Sequence, residues 1–174
     1  MPLDDPQELF DVCDEADHVI GQETRGNVHA QGLLHRAVHV FVINSSGELL
    51  VHRRSSGKDE YPLRYTSSAS GHLNAGEDYQ AAAVRELEEE LGLTSPIHFL
   101  ASFPAGPETA NEHTQLYVVQ TDDVPQPDPF EIESLEYVDP PSLAARMNAE
   151  PENYTPPFRL LFHWYLANAG ANAP

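Results

Sequence analysis

Glu86, Glu89 and Glu90 are the residues of this chain whose type and spacing point most directly to chemistry. They lie in the run Gly71 to Leu93, GHLNAGEDYQAAAVRELEEELGL. At i, i+3 and i+4 they share one face of a helix. Like charges at that spacing cost roughly a few tenths of a kcal/mol per pair in an isolated helix. A divalent cation reverses that cost, because hard cations such as Mg²⁺ take carboxylate oxygens and complete their shell with water and substrate phosphate. A charge run is ordinarily a solvated face, and Glu88, which falls away from the other three, has that role. What distinguishes the trio is its company: Arg85 directly before it, Glu77 one loop earlier, and glycines on either side.

The elements that must position these carboxylates are legible nearby. Asp78 can cap a helix N-terminus, Gln80 to Leu91 is rich in good helix formers, and Gly92 sits where a left-handed C-terminal residue belongs. Val84, Leu87 and Leu91 stand on roughly the opposite face and are expected to be its buried side. Gly71 and Gly76 suit a loop that turns tightly beside a ligand.

The residues Gly71, Glu77, Arg85, Glu86, Leu87, Glu89, Glu90, Gly92 and Leu93 fit the pattern G-x5-E-x7-R-E-U-x-E-E-x-G-U, with U aliphatic. Every specified position is met, and the pattern resembles the signature of the Nudix hydrolases, which cleave nucleoside diphosphates linked to another group. The resemblance implies a loop-helix-loop site for Mg²⁺ or Mn²⁺ with Glu86, Glu89 and Glu90 as ligands. It also implies that Glu77 and Arg85 brace the loop against the helix.

Outside that pattern the chain resembles the isopentenyl diphosphate isomerase branch of the same superfamily. The matching stretches are Leu34-His35-Arg36-Ala37, Asn44 to Leu50, Arg53-Arg54 with Lys58 and Pro62, Ser70-Gly71-His72, and Asn111-Glu112. This resemblance implies a histidine-containing metal site at His35, His72 and Glu112. His29 lies one residue from a further ligand position, another is Ala110, and the catalytic cysteine position holds Ser70. Those departures, with an intact central pattern, favour hydrolysis over isomerisation. The expected activity is metal-dependent cleavage of a diphosphate linkage, with an isomerase-like enzyme as the alternative. One of Glu89, Glu90, Glu112 and Glu131 would act as general base.

The 174-residue chain carries 28 acidic and 9 basic residues, a net charge of −19. That disfavours nucleic acid and anionic membranes as partners and demands cations near any phosphorylated small-molecule substrate. Arg53, Arg54, Lys58 and Arg64 cluster in one loop, and the first three are expected to contact phosphate. One cysteine, Cys13, leaves no intrachain disulfide and fits a reducing compartment. No stretch reads as a signal peptide or transmembrane helix, so a cytoplasmic location is expected. Oligomeric state is left open.

In chain order we expect a small edge hairpin (Leu9–Cys13 with His18–Gly21), a connection from Arg25 to Leu34, and a clear hairpin of His35–Ile43 with Leu49–His52. A short strand over Tyr65–Ser70 leads into the central helix. Strands follow at Ile97–Phe103, Thr114–Gln120 and Ser134–Val138. Pro140 and Pro141 stop the last strand, Ser142 caps a short helix, and Phe158–Ala167 closes the chain. Tyr65, Phe103 and Trp164 are candidates to stack on a substrate ring. The pattern is α+β in layers, and the resemblance sharpens it to an α/β/α sandwich with a mixed sheet. We expect one domain over 1–174, with an N-terminal hairpin and connection over 1–34, a core over 35–168 and a frayed tail over 169–174.

Overall fold

The computed structural model describes residues 4–168; the expected frayed tail, 169–174, lies outside them. Strand β3 (His35–Ile43) is the axis of the fold. Its nine residues are apolar or β-branched apart from Arg36 and two histidines, and alternate residues face opposite sides. Val38, Val40 and Val42 point to α2 (Tyr79–Leu91), with Leu87 and Leu91 beneath them. Phe41 and Ile43 point the other way, towards α3 (Pro140–Ala149) and α4 (Pro156–Asn168), where Leu143, Met147, Phe158 and Phe162 bury them. The sheet thus lies between helical layers, the α+β class with a mixed sheet expected from the sequence. Among the described residues no helix is long and apolar enough to cross a membrane.

The sheet runs β5 (Tyr65–Thr66), β4 (Leu49–Arg54), β3, β8 (Glu112–Gln120), β7 (His98–Phe103), with β6 (Ala69–His72) on β3 and β9 (Ile132–Val138) on β4. The β3–β8 pair is parallel and in register from His35↔Glu112 to Ile43↔Gln120. The expected β3–β4 hairpin closes only at Ile43↔Leu49. Below that point β6 takes the edge of β3, pairing Ala37 with His72 and Val40 with Ala69. Ser68 fills the fork: its hydroxyl accepts from Val42 N at 2.8 Å and donates to Leu50 O at 2.6 Å. Two backbone groups that a continuous ladder would pair are satisfied by one buried side chain.

Three further expectations are corrected. Arg25–Leu34 is not merely a connection, because Arg25–Gln31 forms α1, N-capped by Thr24 and closed by left-handed Gly32. Pro140 and Pro141 begin α3 rather than precede it; Asp139 is the cap and accepts from Ser142 N, as suits proline in a first helical turn. On α2 the inner face is Ala82, Ala83, Glu86, Leu87, Glu90 and Leu91, while Val84 is 46 % exposed. Burial of Ala82 and Ala83 rolls the helix so that two glutamates, not Val84, turn inward.

At the N-terminus β1 (Leu9–Cys13) and β2 (Val19–Thr24) form a separate antiparallel ribbon. Ala75 N donates to Leu9 O and Gly76 N to Asp11 Oδ2, which ties the ribbon to the loop before α2. Tyr65, Phe103 and Trp164 pack against the α3–α4 cluster and do not line the cavity described below.

Asp78 Oδ1 accepts from Ala81 N at 2.8 Å. Asp78→Ala is expected to cost about 1 kcal/mol of stability, checked by urea unfolding against the parent chain.

Candidate active site

A cavity of about 740 Å³ opens where β3 and β8 begin and β6 ends, within the size range of small-molecule sites. One wall is the α2 carboxylate face with Gly71, and the floor is Ala37, His39 and Ser70. Glu86 and Glu90 are buried and Glu89 projects into solvent, its side chain 62 % exposed. Burial, added to by the Glu90 charge, pushes the Glu86 carboxyl well above the ordinary carboxylate range. Two carboxylates held this way are stabilised in their ionised form by a cation.

Arg85 organises the wall. Its Nε and Nη2 each donate at 2.9 Å to the two oxygens of Glu77, and Nη2 also donates to His72 O at 3.0 Å. Nη1 reaches Glu86 Oε1 at 2.7 Å and Glu89 Oε2 at 3.1 Å. Gly71 lies in the strand β6, not in a loop, and its reason for being glycine is contact: a Cβ there would overlap the Glu86 carboxylate. Glu90 Oε2 accepts from Ser70 N at 3.3 Å, and the buried His52 Nδ1 stands 3.4 Å away.

At the adjoining end of the cavity three imidazoles meet. His29, His35 and His72 each bring a ring nitrogen within 4.8 Å of the others, and Glu60, His72 and Glu112 do the same with theirs. The register puts Glu112 beside His35, as the first residue of β8 rather than in a loop. Glu112 Oε1 lies 2.9 Å from His72 Nε2 and 3.7 Å from His35 Nε2. Burial opposes its ionisation, yet the two histidines hold its carboxyl well below the usual range. His35 Nδ1 is 2.9 Å from Leu33 O and must donate there, which leaves Nε2 facing the cluster. That nitrogen and His29 Nε2 are buried without a hydrogen-bond partner among the described residues. Orphaned buried polar atoms are rare because they are costly, and three imidazoles gathered beside a carboxylate suit a borderline divalent cation.

The basic residues do not all reach the cavity. Arg54 and Lys58 line it. Arg53, expected to contact phosphate, is turned outward, donating to Leu63 O and lying over the Tyr65 ring. Strand alternation separates it from Arg54. Lys58 Nζ is held by Asp4 at 2.9 Å and Glu131 at 2.7 Å. Burial opposes and these anions support its charge, with the net effect of raising its pKa. Arg25, Glu60 and Phe10 were not singled out as site residues from the sequence, and His29, read as one residue off a ligand position, stands with His35 and His72. Thr24 and Gly32 were available as helix signals, and within α1 the i,i+4 spacing sends Arg25 and His29 to one face. Phe10 stacks on His35 with ring centroids 5.7 Å apart and lies 4.8 Å from His72.

The family model described as NUDIX domain matches residues 33–158. The chain belongs to the Nudix family. It is 33% identical over 170 residues to the isopentenyl-diphosphate Delta-isomerase of Serratia proteamaculans, a match covering 95% of this chain and 93% of that protein. It is 48% identical over 87 residues to an uncharacterized Nudix hydrolase of Nostoc sp., covering 49% of this chain and 52% of the other, about half of each. Among solved structures it is similar to DR0079 from Deinococcus radiodurans, with a TM-score of 0.74 and 33% identity over 82% of this chain and 90% of that one.

Two outcomes are expected of this Nudix site. Gly71→Ala must displace the Glu86 carboxylate, and is expected to weaken Mn²⁺ binding about tenfold or more, the scale of losing a ligand-orienting contact. Mn²⁺ titration followed by electron paramagnetic resonance checks it. His39 is fully buried, its Nδ1 2.7 Å from Ser67 Oγ, and burial lowers its pKa from 6.5 to about 4. The folded state then binds fewer protons than the unfolded chain, so this stability is complete above about pH 6.5 and is lost as the pH falls towards 4. Melting temperature of the metal-free protein should fall over that window, and less steeply in His39→Gln.

Proposed function

We propose that this Nudix chain is a metal-dependent hydrolase of a diphosphate linkage in a nucleoside diphosphate derivative or related small metabolite. The observation that carries the reading is the α2 wall: Glu86, Glu89 and Glu90 line a small-molecule cavity, with Arg85 clamped to Glu77 behind them. Mg²⁺ or Mn²⁺ held by these carboxylates would supply charge neutralisation and an acidified water. Glu89 is the most exposed of the three and is the residue we assign as general base. Glu89 keeps one bond, from Arg85 Nη1 at 3.1 Å, whereas Glu112 is buried against His35 and His72 and Glu131 is held by Lys58 at 2.7 Å. Arg54 and Lys58 would hold the phosphates. Lys58 must exchange a carboxylate partner to do so.

The histidine cluster supports a second cation, bound by His29, His35, His72 and Glu112. It also supports the alternative reading, an isopentenyl diphosphate isomerase-like enzyme, given the relative of that name. Protonating an unactivated double bond needs an acid of suitable strength. The floor of this cavity offers the Ser70 hydroxyl, which does not titrate in the physiological range.

Phosphate release from a panel of nucleoside and isoprenoid diphosphates, with and without Mg²⁺, tests the assignment. Glu89→Gln and Glu90→Gln are expected to lower kcat by orders of magnitude while keeping the parent melting temperature. Near-normal turnover in both variants would sink the hydrolase reading. Conversion of isopentenyl to dimethylallyl diphosphate is expected to be undetectable, and substantial turnover would make the isomerase reading the right one.

A further inference from the structure

The loop after β4 carries one feature that phosphate binding does not explain. Glu60 is drawn in beside His72 and Glu112, with donor atoms of all three within 4.8 Å of one another. Two carboxylates so close repel unless a cation lies between them or one of them takes up a proton. The loop is built to hold Glu60 there. Arg54 Nε donates to Glu60 O at 3.0 Å, while Leu63 N donates to Arg54 O and Arg54 N to Arg64 O. Tyr61 and Leu63 are left-handed, with φ of 47° and 61°, a conformation that non-glycine side chains adopt only where the surroundings enforce it. Such enforced conformations gather at ligand sites. Independently, His35, 2 % exposed, has an Nε2 without a hydrogen-bond partner among the described residues, in the histidine group that shares His72 with this one. Ala110, which also lines the cavity, offers no donor.

We propose that Glu60 is a ligand of the histidine-bound cation, joining His29, His35, His72 and Glu112 as its fifth protein donor. The proposal rests on the histidine cluster holding a cation. Three imidazoles and two carboxylates suit Mn²⁺, Co²⁺, Fe²⁺ or Zn²⁺ better than Mg²⁺. The ligand arrives from the same loop that supplies Lys58, so binding the cation would stiffen the segment that also faces the phosphates.

The test is titration of the metal-stripped full chain with Co²⁺, following the visible absorption that nitrogen ligation intensifies. The wild type is expected to show one such Co²⁺, and His35→Ala to lose it. Glu60→Gln, similar in shape and on a surface loop, should keep the parent melting temperature, weaken this Co²⁺ about tenfold or more and shift its absorption bands. If Glu60→Gln matches the wild type in affinity and spectrum, Glu60 is not a ligand while the histidine site stands. If the wild type shows no band that depends on His35, the histidine site itself fails and the proposal with it.

Discussion

The guanidinium of Arg85 is the contact on which the site depends. One planar group joins the loop residue Glu77, the β6 carbonyl of His72 and the α2 carboxylates of Glu86 and Glu89. Its fork geometry allows several of these bonds at once, which a lysine ammonium on the same stem does not reproduce. Through it the helix that carries the carboxylates, the strand that carries Ser70 and His72, and the turn between them become one rigid unit. The opposing requirement is space. Glu86 can approach Arg85 from within the fold only because Gly71 has no side chain.

The charge of −19 takes on a different meaning once the contacts are known. Inside the cavity Arg25 and Lys58 are not free. Arg25 is held by Asp4 at 2.9 Å and Asp59 at 3.3 Å, and Lys58 by Asp4 and Glu131. A phosphorylated ligand that reaches Arg25 or Lys58 therefore meets cations already paired with side-chain anions. Its binding energy is the difference between phosphate and carboxylate partners rather than the full attraction of an unpaired cation. The divalent cations of the proposed sites would supply the surplus positive charge that such a ligand needs.

The two halves of the site differ in how far they could be read in advance. The α2 half is local. Caps at Asp78 and Gly92, carboxylates at helical spacing and a bracing pair across one short loop are all properties of a continuous stretch, so the helix emerged as Tyr79–Leu91. What the pattern misjudged was its rotation about its own axis, because Ala82 and Ala83 pack more closely on β3 and β6 than Val84 could. The basic loop was read as one cluster, but strand alternation at the end of β4 sends Arg53 and Arg54 to opposite sides.

Sequence alone determined the family signature, the α2 helix with its carboxylate face, the strand over His35–Ile43 and the layered fold class. Each of these follows from residue type and short-range spacing. Tertiary structure decided the histidine end of the site. His29 arrives on α1, His35 on β3, Glu60 on a left-handed loop, His72 on β6 and Glu112 on β8. They meet because β8 runs parallel to β3 in the register His35↔Glu112 and β6 displaces β4 from the edge of β3. A strand register is set by packing over the whole sheet, and no spacing within a single segment encodes it.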